Sequence, residues 1–216
     1  MSLLRYVSEN TDTLVPGALT QVYIVAVTMA VSVIIGLILG VLAARSERFA
    51  EFILGLASII LTIPSFALFS LITLVLLVFG DTPTIIGLVL YAQLPIIRNT
   101  RTGLLAVRPA VIEAARGMGM RSDEILLRVE LPLALPVIIG GIRQATVMVV
   151  AIATVGAAVA SNNLGQTILT GVASLDRNAI LAGVIPVAAI GIAADSGLAL
   201  VQRLISRGRI TAAAAT

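Results

Sequence analysis

An all-α integral membrane protein, with about five transmembrane helices around one long cytoplasmic loop, is the fold class this sequence predicts. Three observations carry that expectation. The 216-residue chain is 59% hydrophobic and only 12% charged, with a mean hydropathy of +1.11, and a soluble domain of that length needs far more polar surface to cover its core. Apolar runs of roughly 20 residues, enough for a helix to cross a hydrocarbon core about 30 Å thick, recur along the chain. Arginines gather between alternate runs, as they do in loops retained on the cytoplasmic side.

Residues 1–17 are mixed and polar, with Arg5, Glu9 and Asp12. The next stretch, the apolar run 18–44, exceeds the roughly 7 to 15 residues of a secretory signal core, so it reads as a retained first span. Gly36 and Gly40 within it stand at the GxxxG spacing that lets helix backbones approach closely, either inside one subunit or across a dimer. The second span is expected near 52–79, where Pro64 in Thr62-Ile63-Pro64-Ser65 should kink it by removing a backbone donor. A short third span near 83–97, a fourth near 137–160 and a fifth near 179–202 complete a single transmembrane domain over 1–216. The closing TAAAAT reads as a low-complexity, frayed tail.

Charge placement sets an expected orientation. Arg45 and Arg48 come after span one, Arg98, Arg101, Arg108, Arg116, Arg121 and Arg128 fill the segment between spans three and four, and Arg203, Arg207 and Arg209 come after span five. With five spans these eleven share one side and only Arg5 and Arg177 fall opposite, while Arg143 lies within a span. The N-terminus is therefore expected outside and the C-terminus in the cytoplasm.

All fourteen basic residues are arginine, and the chain has no histidine or cysteine. A lysine-dependent phosphate loop and a histidine general base are excluded, as are disulfides and the usual zinc and iron ligands. No catalytic or metal-ligating set is visible.

The loop Arg98–Pro136 is too long to be a plain connector. Pro109 suits the first turn of a helix, and PAVIEAARGM puts Val111, Ile112 and Ala115 on one apolar side. Gly117 and Gly119 permit positive φ and a sharp turn. Ser122 is placed to cap a second short helix whose first turn carries Asp123 and Glu124, with Pro132 and Pro136 closing the unit. Two short helices projecting from the membrane are expected.

This loop resembles that of the transmembrane permease subunits of binding-protein-dependent ABC importers. Their signature, EAA, three residues, Gly, nine residues, an aliphatic residue, one residue and Leu-Pro, stands here as Glu113-Ala114-Ala115, Gly119, Val129 and Leu131-Pro132. The resemblance implies the type I (MetI-like) ABC importer permease fold, with the loop docking in a cleft of a separate ATPase. Glu113 would be the polar contact, Ala114 and Ala115 would permit close approach, and Gly119 would make the bend. Implied partners are a pair of ATPase subunits carrying ATP and Mg, a second permease copy or a paralogue, an external solute-binding protein and membrane lipid, in a bacterial cytoplasmic membrane. No cofactor on this chain, no enzymatic activity of its own and no nucleic acid are implied.

TIPSFALF in span two, YAQLPIIRNTRTGL at the end of span three, and EAARGMGM followed by VELPLALPVIIGGIRQATV are similar to the osmoprotectant branch, which imports glycine betaine, choline, carnitine and similar quaternary amines. Permeases for methionine and other small solutes share the five-span plan and are the alternative. One stretch departs from the family. Where a glycine-rich IGAGGLG-like turn is common after span four, this chain has Val159-Ala160-Ser161-Asn162-Asn163-Leu164-Gly165. Asparagine tolerates left-handed backbone, and these amides are expected near the external mouth.

Arg143 and Asp195 lie inside apolar runs at matching depth, where a charge needs a partner or a wet cavity. Either they pair, within a subunit or across a dimer, or Arg143 snorkels to the cytoplasmic interface. Small polar residues are expected along a translocation path: Ser58, Thr62, Ser65, Thr73, Thr146, Thr154, Asn162 and Asn163. The alternative for each hydroxyl is a bond to its own helix. With no Trp, an aromatic cage for a quaternary ammonium belongs to the external binding protein instead. Two other classes stand against this reading. A secondary carrier or channel needs intramembrane carboxylates or repeats, and a membrane enzyme needs a catalytic cluster.

Overall fold

The computed structural model describes residues 3–213, with side chains to 205, and no strand occurs among them. Of the tail expected to fray, 211–213 continue the last helix and 214–216 lie outside the described residues, as do the side chains of Arg207 and Arg209.

A short helix, α1 (Leu3–Glu9), precedes α2 (Thr11–Arg45). The 35 residues of α2 span about 52 Å, so the first span begins earlier than 18 and the helix overreaches the hydrocarbon core. Its buried residues Gln21, Ile24, Thr28, Ser32, Gly36, Gly40 and Ala43 recur every three or four positions and form one face. That face packs on the helix of residues 81–105. A Cβ added at Gly36 would lie 2.5 Å from Ile96 Cγ2, and one at Gly40 would lie 2.5 Å from Thr100 Cβ. The two glycines thus serve close packing inside one chain.

The expected second span is not one kinked helix. It divides into α3 (Glu47–Thr62) and α4 (Ser65–Leu76), bent by 100°. Ile63 is extended, ψ 129°, as a residue preceding proline prefers, and Pro64 denies the next turn its N–H. The break is held open by the Tyr91 hydroxyl, which donates to the Ile63 carbonyl. Helix α4 then stops short of 79, because Leu77 turns left-handed at φ 53°.

Helix α5 (Asp81–Leu105) corrects the third span. It runs well past 97, since nothing breaks it before Ala106, and it is the central helix of the protein. Residues 91–97 are all buried, and α2, α3, α4 and α8 (Leu131–Ala153) pack around α5. The exposed loop therefore does not begin at Arg98. Its helical part comprises α6 (Pro109–Gly117) and α7 (Ser122–Ile125), and a π-helical turn (Leu126–Glu130) then runs into α8. Pro132 and Pro136 do not close the loop; they sit in the opening turns of α8.

A 3-10 turn (Thr154–Val159) ends this span, and α9 (Leu164–Ser174), which no sequence signal pointed to, lies before α10 (Arg177–Ala213). Ile24, Phe69, Leu88, Tyr91, Ile96 and Val149, from α2, α4, α5 and α8, form the main core. By length and composition three helical stretches can each cross a membrane among the described residues: Thr11–Arg45, Ser122–Val159 and Arg177–Ile205; the bent pair α3 and α4, counted as one span, is a fourth. Helix α5, with 25 residues and about 37 Å, has the length for the expected fifth but carries Arg98 and Arg101.

Candidate functional site

The polar element between α5 and α8 is built on Pro109, the first residue of α6, after an extended Arg108 with ψ 131°. Along α6, Ile112 is half-buried and Ala115 is buried against its own chain, while Glu113 and Ala114 face solvent. Gly119, φ 83°, turns the chain out of the helix, and the Met120 N–H closes the turn on the Ala115 carbonyl at 3.2 Å. Gly117 stays helical, so the reversal needs one glycine of the expected pair. Ser122 is not the cap of α7 but its first residue. Arg121 holds the cap position, and its N–H donates to Glu124 Oε2 at 3.0 Å. The second helix is a single turn before the π segment, which places Val129, Leu131 and Pro132 half-buried at the root of α8.

Two ion pairs that the sequence did not single out surround that root. Arg45, last in α2, pairs with Glu130, last in the π turn, and Arg101 of α5 pairs with Glu47 of α3. Arg101 Nε also donates to the Ala43 carbonyl at 3.1 Å. A cavity of about 310 Å³ lies between these helix ends and α6, with Arg45, Glu113, Arg116 and Glu130 among apolar walls from Leu104 and Ile112. Glu130 carries a local signal in the sequence: it is the lone carboxylate between Val129 and Leu131, in a segment that otherwise enters the apolar span.

Within the spans, Arg143 and Asp195 pair inside one chain rather than Arg143 running to the interface. Nε donates to Oδ1 and Nη2 to Oδ2, both at 2.9 Å. Gln202, two turns after Asp195 on the same side of α10, accepts from Arg143 Nη1 at 2.8 Å and donates to the Pro136 carbonyl at 2.7 Å. The network ties the first half of α8 to the second half of α10.

The small polar residues do not converge on one cavity. Ser58, Thr62, Thr146 and Thr154 each donate to a carbonyl of their own helix, those of Leu54, Ile59, Ile142 and Ala151. Thr73 is buried in α4 and Ser65 is half-buried at its start. At the turn after α8 the two asparagines part. Asn162 is exposed and lines a recess of about 320 Å³ with Thr13, Gln166 and Thr167. Asn163 is buried; its Oδ1 accepts from Gly165 N–H at 2.8 Å, and its Nδ2 donates to the Ala153 carbonyl at 2.8 Å and Ser161 Oγ at 3.2 Å. Only one amide is thus presented outward. The left-handed residue is Ala160, φ 66°, not an asparagine, because Asn163 must stay extended to cap α9. Ser161 Oγ donates to Asp81 Oδ1 at 2.7 Å, which anchors this turn to the start of α5. Among the described residues no group of His, Cys, Asp or Glu is placed to hold a metal ion.

Comparison with known proteins places residues 32–208 in the family described as binding-protein-dependent transport system inner membrane component. The chain is 38% identical to the osmoprotectant import permease protein OsmW of Salmonella typhimurium, over 90% of this chain and 93% of that protein. It is 38% identical to the glycine betaine/carnitine/choline transport system permease protein OpuCD of Bacillus subtilis, over 80% of this chain and 76% of the relative. An inward-facing structure of the MetNI methionine ABC transporter superposes with a TM-score of 0.79 at 21% identity, covering 91% of this chain and 98% of its counterpart. At that identity the likeness bears on fold alone.

Proposed function

As the chain belongs to the family of binding-protein-dependent transport system inner membrane components, we propose that it passes an osmoprotectant of the quaternary-amine class, such as glycine betaine, choline or carnitine, into the cell. It is a multi-pass permease subunit of an ABC importer and not an enzyme; ATP hydrolysis belongs to a separate subunit. The observation that carries the substrate reading is the 38% identity to an osmoprotectant import permease along nine tenths of the chain.

The finer assignments rest on the geometry. The exposed α6–Gly119–α7 element is the part that docks on the ATPase, with Glu113 and Ala114 outward and Ala115, Val129, Leu131 and Pro132 holding it to the bundle. A compact element of this kind passes on a rigid-body motion that a floppy loop would absorb. ATP, with Mg, closes a pair of ATPase subunits, draws the docking elements of two permeases together and turns the translocation path between the permeases outward; hydrolysis resets it. The second permease is a copy of this chain or a paralogue. The N-terminus lies outside and the docking element and C-terminus in the cytoplasm, which puts the Asn162 recess on the side where a solute-binding protein delivers its cargo. Ser65, Thr73 and Thr146 remain the pathway candidates within the spans, with Ser58, Thr62 and Thr154.

The test is uptake by the complete importer, with its ATPase and binding protein, in proteoliposomes. ATP-driven accumulation of labelled glycine betaine, choline or carnitine, absent with methionine, is the expected result. Methionine uptake with no quaternary-amine uptake would overturn the substrate assignment. Flux without the ATPase would overturn the importer reading itself.

A further inference from the structure

The Arg45–Glu130 pair stands behind the docking surface, and its position suggests a role of its own. Glu130 ends the π-helical turn Leu126–Glu130. A π turn inserts an additional residue in a helix and rotates the residues beyond it, and such turns recur at functional positions. Here the turned carboxylate is only 5% exposed. Both of its oxygens are met by the Nη atoms of Arg45, the last residue of α2. A two-pronged pair of this type fixes direction as well as distance.

The same end of α2 is secured on its other side. Arg101 of α5 donates to the Ala43 carbonyl and pairs with Glu47, just beyond Arg45. Beneath these contacts Val41 and Ala44 of α2 pack with Leu104 of α5 and with Leu126, Leu131 and Ala134 of the π turn and α8. The ends of α2, α5 and α8 therefore meet directly under α6. Force applied to α6 and α7 enters α5 and α8 through the covalent chain at either end of the element. It reaches α2 through the packing of that helix on α5 and α8 and through this junction, where the two-pronged ion pair is the directional contact.

We propose that Glu130 and Arg45 form a strut that carries movement of the docking element to α2, making both positioning residues for transport rather than contacts of the ATPase. Glu130 is buried while Arg45 is half-exposed, so parting them strands the carboxylate among apolar walls; that cost favours a pair that stays closed as the element moves and draws α2 with it. Helix α2 lies along the central helix α5. The strut thus adds α2 to the two helices, α5 and α8, that the docking element already moves through the covalent chain. The proposal rests on the reading of α6 and α7 as the ATPase-docking element.

The experiment uses the complete importer in proteoliposomes and reads three quantities: co-purification of the ATPase, ATP hydrolysed, and solute taken up. Glu130→Gln keeps the shape and Arg45→Lys keeps the charge while losing the fork. In each variant the ATPase should co-purify within about twofold of the unaltered protein, while ATP consumed per solute rises about fivefold or more. The charge-exchanged double, Arg45→Glu with Glu130→Arg, should bring that ratio most of the way back. An unchanged ratio in both single variants overturns the strut. So does an exchanged double no better than the worse single, and so does loss of assembly in every variant, which would make the pair a folding contact. Glu113→Ala separates the two readings. If it leaves co-purification intact, the docking assignment fails, whatever the Glu130 variants do.

Discussion

Arg143 of α8 and Asp195 of α10 face each other through two parallel hydrogen bonds of 2.9 Å, within apolar stretches of both helices. Their side chains are 31% and 36% exposed on the single chain, so the pair stands at an edge of the bundle, not sealed in its core. Gln202 completes the arrangement by holding Arg143 and reaching the Pro136 carbonyl.

Neutralising either member leaves the other charge in an apolar span. Arg143→Gln and Asp195→Asn should each reduce the amount of folded, transport-competent protein about fivefold. Exchanging the two charges should recover much of it. Uptake together with the yield of monodisperse protein in detergent checks this. An exchanged double no better than the worse single would show that the pairing itself does not support the fold.

The two α2 glycines and an exposed glycine of α3 make a matched comparison. A Cβ at Gly40 would sit 2.5 Å from Thr100 Cβ, whereas at Gly55 nothing lies within 4 Å. Gly40→Ala should cost about 1–3 kcal/mol through overpacking. Gly55→Ala should be neutral or gain up to about 1 kcal/mol from helix propensity. Thermal unfolding in detergent should show the Gly40→Ala midpoint falling and the Gly55→Ala midpoint holding or rising.

In the docking element backbone and side-chain effects can be separated. Gly119 has open space around it but φ of 83°, so Gly119→Ala should cost about 1 kcal/mol by conformation alone. Gly117, helical and equally open, should accept alanine without loss. Glu113→Ala should weaken ATPase binding about tenfold while leaving the unfolding midpoint unchanged, because the side chain is exposed. Titration of the ATPase onto the detergent-solubilised permease measures the binding, and thermal unfolding of the same sample measures the midpoint.

The paired asparagines should behave oppositely. Asn163→Ala strips the cap from α9 and leaves the Ala153 carbonyl and Gly165 N–H without their partner, which should cost about 1–2 kcal/mol. Asn162→Ala, at an exposed position, should change stability by less than about 0.5 kcal/mol. An altered uptake KM in Asn162→Ala would place that amide on the solute's route, and an unchanged one would remove it.

How legible a feature was depended on whether its cause was local. The Glu113 to Pro132 signature, Pro109 at a helix start and Gly119 at a reversal depend on neighbours within a turn or two, and they were readable directly. Span 18–44 and span 179–202 were readable because lipid asks only for length and apolarity. Helix α5 was underestimated because Gln93, Asn99, Thr100 and Arg101 look like the end of a span. They continue the helix because α2 and α8 close around it. Pro64 announced a kink, but not the 100° turn, at which Tyr91 donates to the carbonyl of Ile63, 28 residues before it in the chain.

The sequence by itself determined that this is a helical membrane permease with a polar, motif-bearing element between its spans, since composition, arginine placement and a short motif are all written in adjacent residues. Only the tertiary structure decided which polar groups answer one another. Arg143 finds Asp195, Arg45 finds Glu130, and Asn163 turns inward while Asn162 turns out. A buried polar group is satisfied by whatever the fold brings within about 3 Å of it, and that partner can lie anywhere in the chain.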